Sequence, residues 1–309
     1  MININKAKTY SVKARYSKVR RRDFAREPGR KRSFNDFYRS LPNILKAKEI
    51  RNVVEGVCRA HKKKKAVIFM AGAHVIKCGL NPIVIELIRR KIITCLALNG
   101  AGIIHDFEIA LLARTSEDVT SGLGQGKFGM ARETADFLNR AVEVGVRQGL
   151  GLGNSVAEKI SSAKLPHKNL SLLCQAYRNK VGVCVFVATG TDIIHQHPSF
   201  DPALTAEGSW RDFKSLTEHI CGLNNGGAVL NFGSAVILPE VFVKALNLAR
   251  NLANPVRNFL TANFDMLYHY RPLQNIVTRP VEGGGEGYYI IGHHEIMLPF
   301  LAQAIIERL

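Results

Sequence analysis

The chain has 309 residues, 46% of them hydrophobic and 22% charged, the composition of an ordinary globular protein with enough length for a large core. No apolar run reaches the roughly 18 residues of a membrane span, and the opening MININKAKTYSVKARYSK lacks the apolar centre of a signal peptide. The net charge is +18, but residues 1–65 hold 21 Lys and Arg against 5 Asp and Glu, whereas residues 66–309 hold 22 against 20.

The charge therefore belongs to an N-terminal segment. Its centre, KVRRRDFAREPGRKR (18–32), is too charged to pack and predicts an exposed basic arm over residues 1–33. Such an arm can hold nucleic acid, an acidic surface or a neighbouring subunit. From residue 34 to 309 a single α/β domain is expected. An amphipathic helix starts after Pro42 and keeps Ile44, Ile50, Val53, Val54 and Val57 in phase, and HKKKK (61–65) lies at its end.

Six apolar runs then read as strands: AVIFM (66–70), KIITCLAL (91–98), VGVCVFVA (181–188), GAVLNFG (227–233), FLTANFD (259–265) and GYYIIG (287–292). Helical patterns separate them. NPIVIELIRRK (81–91) follows the first strand, and HDFEIALLAR (105–114) follows the second. Thr115 to Lys168 is helical with glycine-rich interruptions, and a further helix covers 169–179. GSWRDFKSLTEHICGL (208–223) is a helix with Ser209 as its expected N-cap. Strands alternating with helices predict a Rossmann-like, doubly wound parallel sheet of about six strands. Right-handed crossovers bring every strand's C-terminal end to one rim, where such sheets bind ligands.

AGAH, NGAGIIHD, TGTDIIHQHP, NFGSA, TANFD and GHHE all follow strands, so all are expected at that rim. Small residues in such turns let backbone approach a phosphate, although neither GxGxxG nor a P-loop is present. Five histidines lie there: His105, His195, His197, His293 and His294, accompanied by Asp106, Glu108, Asp192 and Glu295. Imidazoles with carboxylates can bind a metal, or a carboxylate-held imidazole can act as general base. His195 and His197 point the same way only if their segment is extended. No standard zinc-protease pattern occurs, and no metal ligands are assigned; acid–base work is the favoured reading, with His105, Asp192, His195, His293 and Glu295 as catalytic candidates. The six cysteines form no CxxC pair and lie largely in apolar runs, which predicts a reduced, cytoplasmic protein; Cys174 and Cys184 sit within a helix and a strand, poor places for a nucleophile.

The order AGAHVIKCGL, NGAGIIHDFEIAL, VGVCVFVATGTD, GGAVLNFGSAV and FLTANFD resembles deoxyhypusine synthase and its bacterial relatives over roughly residues 66–270. The resemblance implies a deoxyhypusine synthase-like fold, NAD as cofactor, a small-molecule amine or amino acid as substrate, a homotetramer, and transferase or oxidoreductase chemistry. By position it implies cofactor contacts from His74, from Asn99, Gly100, Ala101 and Gly102, and from Asp106. It extends them to Gly233 and Ser234, and to Thr261, Ala262 and Asp265; Thr189, Gly190 and Thr191 join the cofactor candidates from the small-residue turn after their strand. The departure is chemical. The synthase holds an aminobutyl group on a lysine near its C-terminus, and this chain has no lysine from Val281 to Leu309. Hypusine formation is therefore not expected. The alternatives are a metal-dependent hydrolase or lyase using the rim histidines, and a non-catalytic binding protein whose basic arm contacts nucleic acid or an acidic partner.

Overall fold

The computed structural model describes residues 2–309, which form two compact units, one running up to Arg51 and one from Asn52 to Leu309. In the first, residues 2–32 are exposed apart from the half-buried Asp23, and they run as extended backbone broken by 3-10 turns at Ile4–Lys6, Val12–Ala14 and Arg21–Asp23. Helix α1 (Phe34–Ser40) opens with a reciprocal cap. The Asp36 N–H donates to Ser33 Oγ (3.2 Å), and the Ser33 N–H donates to Asp36 Oδ2 (3.1 Å). The Arg51 guanidinium donates to the carbonyls of Tyr38, Leu41 and Pro42, satisfying groups that the end of α1 leaves open. Helix α2 (Leu45–Lys62) ends in Arg59, His61 and Lys62, cations that suit a helix C-terminus.

The second unit is a doubly wound sheet. Strand β1 (Val67–Ala71) is followed by the short α3 (His74–Lys77) and by α4 (Asn81–Arg89). β2 (Cys95–Asn99) leads into α5 (Gly100–Leu112), α6 (Val119–Leu123), α7 (Arg132–Arg147), α8 (Leu152–Ser162) and α9 (Leu172–Arg178). Then come β3 (Gly182–Phe186), α10 (Pro202–Cys221), β4 (Ala228–Phe232) and α11 (Ile237–Asn251). β5 (Phe259–Asp265), a one-turn α12 (Tyr270–Pro272), β6 (Gly285–Ile291) and α13 (His294–Ile306) complete the chain.

All six strands are parallel in the order β3-β2-β1-β4-β5-β6, so the expected fold class holds. β1 and β4 lie at the centre and are buried throughout, which is why they read as continuous apolar runs rather than alternating ones. One face packs Ile68, Met70, Ala97, Cys184 and Val229 against Leu216 and Ile220 of α10 and Leu238 and Phe242 of α11. On the other, Phe69, Phe232 and Phe264 stack in a row across β1, β4 and β5, with centroids 5.2 and 4.4 Å apart.

The start of α10 differs from the expectation. Ser209 lies inside the helix and donates to the Val185 carbonyl, while Asp201 is the N-cap and accepts from the Leu204 N–H at 2.9 Å. Asp201 followed by Pro202 at the first helical position is the stronger start signal.

Candidate functional site

The order 3-2-1-4-5-6 reverses direction between β1 and β4, and that is where the turns after the two strands meet. A Cβ on Gly72 would strike the Gly233 carbonyl, and one on Gly233 (φ +64°) would strike His294 Nε2. The two glycines thus permit backbone-to-backbone contact at the switch point, with an imidazole laid against it. His294 is buried, edge-on to Phe232 and 5.7 Å between centroids from His74, and its Nδ1 has no hydrogen-bond partner. Burial holds its pKa below the usual histidine value, against the pull of the Asp265 carboxylate. Asp265, at the C-terminal end of β5, accepts from the Leu267 N–H and lies 3.6 Å from His269 Nε2. Glu295 faces Cys78 Sγ at 3.9 Å and His293 Nδ1 at 3.8 Å, on the exposed side of the same turn.

A second group lies between the ends of β2 and β3, around a cavity of about 200 Å3 lined by Lys77, Ile104, His105, Glu117, Phe128 and Asp192, among others. Asp192 Oδ2 has no partner and its side chain is 7% exposed; burial raises its pKa to about 6. It sits over Gly100, where any Cβ would overlap the carboxylate. His195 accepts at Nδ1 from the Gly190 and Asp192 N–H groups (3.1 and 3.3 Å), so its proton resides on Nε2, 3.8 Å from Asp192 Oδ2 and unpartnered. Burial depresses the pKa of His195, so the ring is neutral near pH 7. His105 Nδ1 is 2.6 Å from Thr115 Oγ1, which donates to Glu108 Oε2, while Glu108 Oε1 accepts from Thr134 Oγ1 at 3.2 Å.

The rim histidines are therefore divided. His105 and His195 gather around the ends of β2 and β3, at one side of the sheet, whereas His294, although it follows the opposite edge strand β6, lies against Phe232 of the central β4. Helix α3 connects the groups: its His74 faces His294, and its Lys77 lines the cavity. His195 and His197 do not act as a pair. Their segment is a 3-10 turn, Ile193–Gln196, rather than an extended one, and His197 Nε2 meets the Gly129 carbonyl at 2.8 Å. Among the described residues no group of three His, Cys, Asp or Glu side chains is placed to hold a metal ion.

Several residues expected at a cofactor have internal roles. Asn99 caps α5 by accepting from the Gly102 N–H (3.0 Å); Gly100 makes room for Asp192, and Gly102 lies against Leu98. Asp106 is fully buried and accepts from Ser171 Oγ, the Leu172 and Leu173 N–H groups and Asn81 Nδ2, so it caps α9 instead of reaching the rim. That burial raises its pKa to about 6. Thr261 and Ala262 lie fully buried within β5, short of its C-terminal turn. Ser234 Oγ accepts from the Leu238 N–H at the start of α11. Thr189, Gly190 and Thr191 form an exposed loop, of which Thr191 lines the cavity, as does Ala101. Thr115, Thr134, Lys77 and Glu117 carry no sequence motif that marks them for the site. Glu108, three residues after His105 on one helical face, carried a spacing signal; Thr115 reaches it only through the turn after α5, which no periodicity reveals.

No protein-family model and no curated protein sequence matches the chain. Solved structures do. Unliganded AgrE is 16% identical with a TM-score of 0.55, covering 85% of this chain and 33% of AgrE. A conserved protein from Methanococcus maripaludis S2, provisionally described as LOR/SDH, is 14% identical, TM-score 0.51, covering 90% and 71%. A deoxyhypusine synthase from Entamoeba histolytica, so described provisionally, is 8% identical, TM-score 0.52, covering 90% and 94%. The chain thus spans a third of AgrE but nearly all of the Entamoeba protein, and its fold is the Rossmann-like fold of the deoxyhypusine synthase type.

Proposed function

We propose that the chain is an NAD-dependent enzyme acting on a small-molecule amine or amino acid, and that it does not form hypusine. The observation that carries this reading is the switch point itself: two glycine turns in contact, with the unpartnered Nδ1 of the buried His294 beside them. An orphaned imidazole nitrogen is costly unless a ligand satisfies it, which fits a polar group such as a cofactor phosphate or ribose. Gly233, His74 and His294 would hold the dinucleotide, with Asp265 for a ribose hydroxyl. NAD, when bound, supplies a hydride acceptor. The chain's own groups would orient the amine and take its proton, work open to the neutral His105 and His195 and to Asp192 and Glu295. AgrE, of related fold, has been solved with ornithine and NAD+ and, as a cysteine-to-alanine mutant, with L-arginine, which supports the same pairing of cofactor and substrate class.

The absence of a lysine after Val281 argues against an imine of the synthase type. A homotetramer, a cytoplasmic location and the division into an arm (1–33) and one NAD-binding domain (34–309) belong to this reading. No helix of the described residues is long and apolar enough to cross a membrane. Calorimetry with NAD is the test, followed by a screen of amines and amino acids for NADH formation with the corresponding alcohols as controls. Micromolar NAD binding and amine-dependent reduction are expected; no heat at millimolar NAD would remove the reading.

A further inference from the structure

The cavity between the ends of β2 and β3 is lined by His105 and Glu108, the two ends of a chain of three side chains that lies outside the glycine turns of the switch point. His105 is half-buried on α5, and its Nδ1 is turned to Thr115 Oγ1 at 2.6 Å. The Thr115 hydroxyl has one proton, and it is donated to Glu108, because a carboxylate only accepts. Thr115 must then accept from His105, so the imidazole proton sits on Nδ1. Nε2 is left as a lone pair, to which none of the described residues donates, and His105 lines the cavity. Glu108 is itself held by Thr134. A carboxylate behind an oriented imidazole is the arrangement of a general base, and here a threonine hydroxyl stands between the two.

The walls indicate what the cavity takes. Ile104, Val119, Phe128 and Ile193 are apolar, and Asp192 presents a carboxylate oxygen that is buried and unpartnered. Glu117 adds a second carboxylate and Lys77 a single cation, so the fixed charges facing His105 sum to favour a positive guest. We propose that this cavity binds the amine substrate and that His105, oriented by Thr115 and Glu108, is the base that takes the amine's proton; the proposal rests on the amine reading above. In the step, an N–H bond of the ammonium breaks and its electron pair stays on nitrogen. The proton goes to Nε2, and the imidazolium charge is balanced through Thr115 by Glu108. His105 is the catalytic residue; Thr115 and Glu108 are positioning residues. Burial and Lys77 keep the ring neutral before the amine enters, against the pull of Glu108.

Nitrogen-15 NMR of the full chain labelled at histidine, without NAD, tests the arrangement with n-butylamine as the probe. The expected result is one ring, absent in His105→Gln, with a protonated Nδ1 and a bare Nε2 whose resonance moves as butylamine is added. Thr115→Val should keep butylamine binding, judged by calorimetry, yet release the tautomer, and Thr115→Ser should restore it. In the NAD assay, Thr115→Val should lose about 100-fold in kcat, with its acidic pKa displaced. A proton on Nε2 in the free protein, or an Nε2 resonance indifferent to millimolar butylamine, overturns the proposal. So does a Thr115→Val protein with unchanged tautomer and pH profile. Because the spectra need no cofactor, failure of NAD to bind would count against the cofactor reading alone.

Discussion

The carboxylate of Asp192 lies in the space that a side chain at Gly100 would need. A Cβ built on Gly100 overlaps Asp192 Oδ2, although the two residues come from turns after different strands. The glycine that a sequence reader assigns to a phosphate is here a glycine that admits a neighbouring carboxylate.

Gly100→Ala should therefore destabilise the protein by about 1–3 kcal/mol through overpacking. Asp192→Ala removes the clash, so the double substitution should be less destabilised than the two single effects added together. Urea denaturation of the four proteins measures the coupling; strict additivity would mean that the two groups do not compete for this space.

The contribution of Asp212 to stability should fall as pH rises from about 4 to about 7. Asp212 is buried beneath Gly151, with Oδ2 accepting from the Gly153 and Val185 N–H groups, and burial raises its pKa to about 7. An acid whose folded value exceeds its unfolded one keeps its proton in the native state after the unfolded chain has released it. Its contribution is full below the unfolded value near 3.8 and is lost as pH climbs through about 7. Asp106 and Asp192, both raised to about 6, act in the same direction. For Asp212 the whole effect is on the order of 4 kcal/mol. Asp212→Asn keeps an acceptor for both N–H groups and cannot titrate, so denaturation series should show the parent losing stability relative to this variant as pH rises over this range.

His294→Leu should separate folding from binding. The substitution removes an unpartnered buried nitrogen and keeps an apolar contact with Phe232, so stability should hold or rise by about 1 kcal/mol. NAD affinity by calorimetry should drop at least tenfold. Unchanged affinity would place the cofactor away from this imidazole.

The exposed arm should bind polyanions in a salt-dependent way. Lys and Arg alternate there with exposed Tyr10, Tyr16 and Phe24, and the Arg20 guanidinium lies over the Tyr16 ring at 5.9 Å. With a single-stranded oligonucleotide, replacing Arg20, Arg21 and Arg22 by Gln should reduce the slope of log affinity against log salt by about 2. Fluorescence anisotropy across a salt series reads this directly; an unaltered slope would exclude these arginines from the contact.

Local chemistry made much of the fold readable. AVIFM, GAVLNFG and FLTANFD can be little else than buried strands, because β-branched and aromatic residues without polar alternation need both faces covered. Helix starts were readable where one cap stood alone and misread where two competed, as with Asp201 and Ser209. The candidate site was readable only in part. His105, Asp192 and His195 do belong together, yet Asp106, Thr261 and Ala262 are turned inward or placed too early in their elements, and Thr115 and Glu117 showed no signal.

Periodicity and composition alone determined the six strands and their parallel direction, because these depend on each segment's own need to bury apolar surface. Tertiary structure decided which strand lies beside which. Hydrogen-bonded neighbours in a sheet are chosen by packing across the whole core, and the order 3-2-1-4-5-6 set the histidines after β3 and β6 apart. It also brought a glycine after β1 against one after β4, and a threonine beyond α5 against the histidine and glutamate within it.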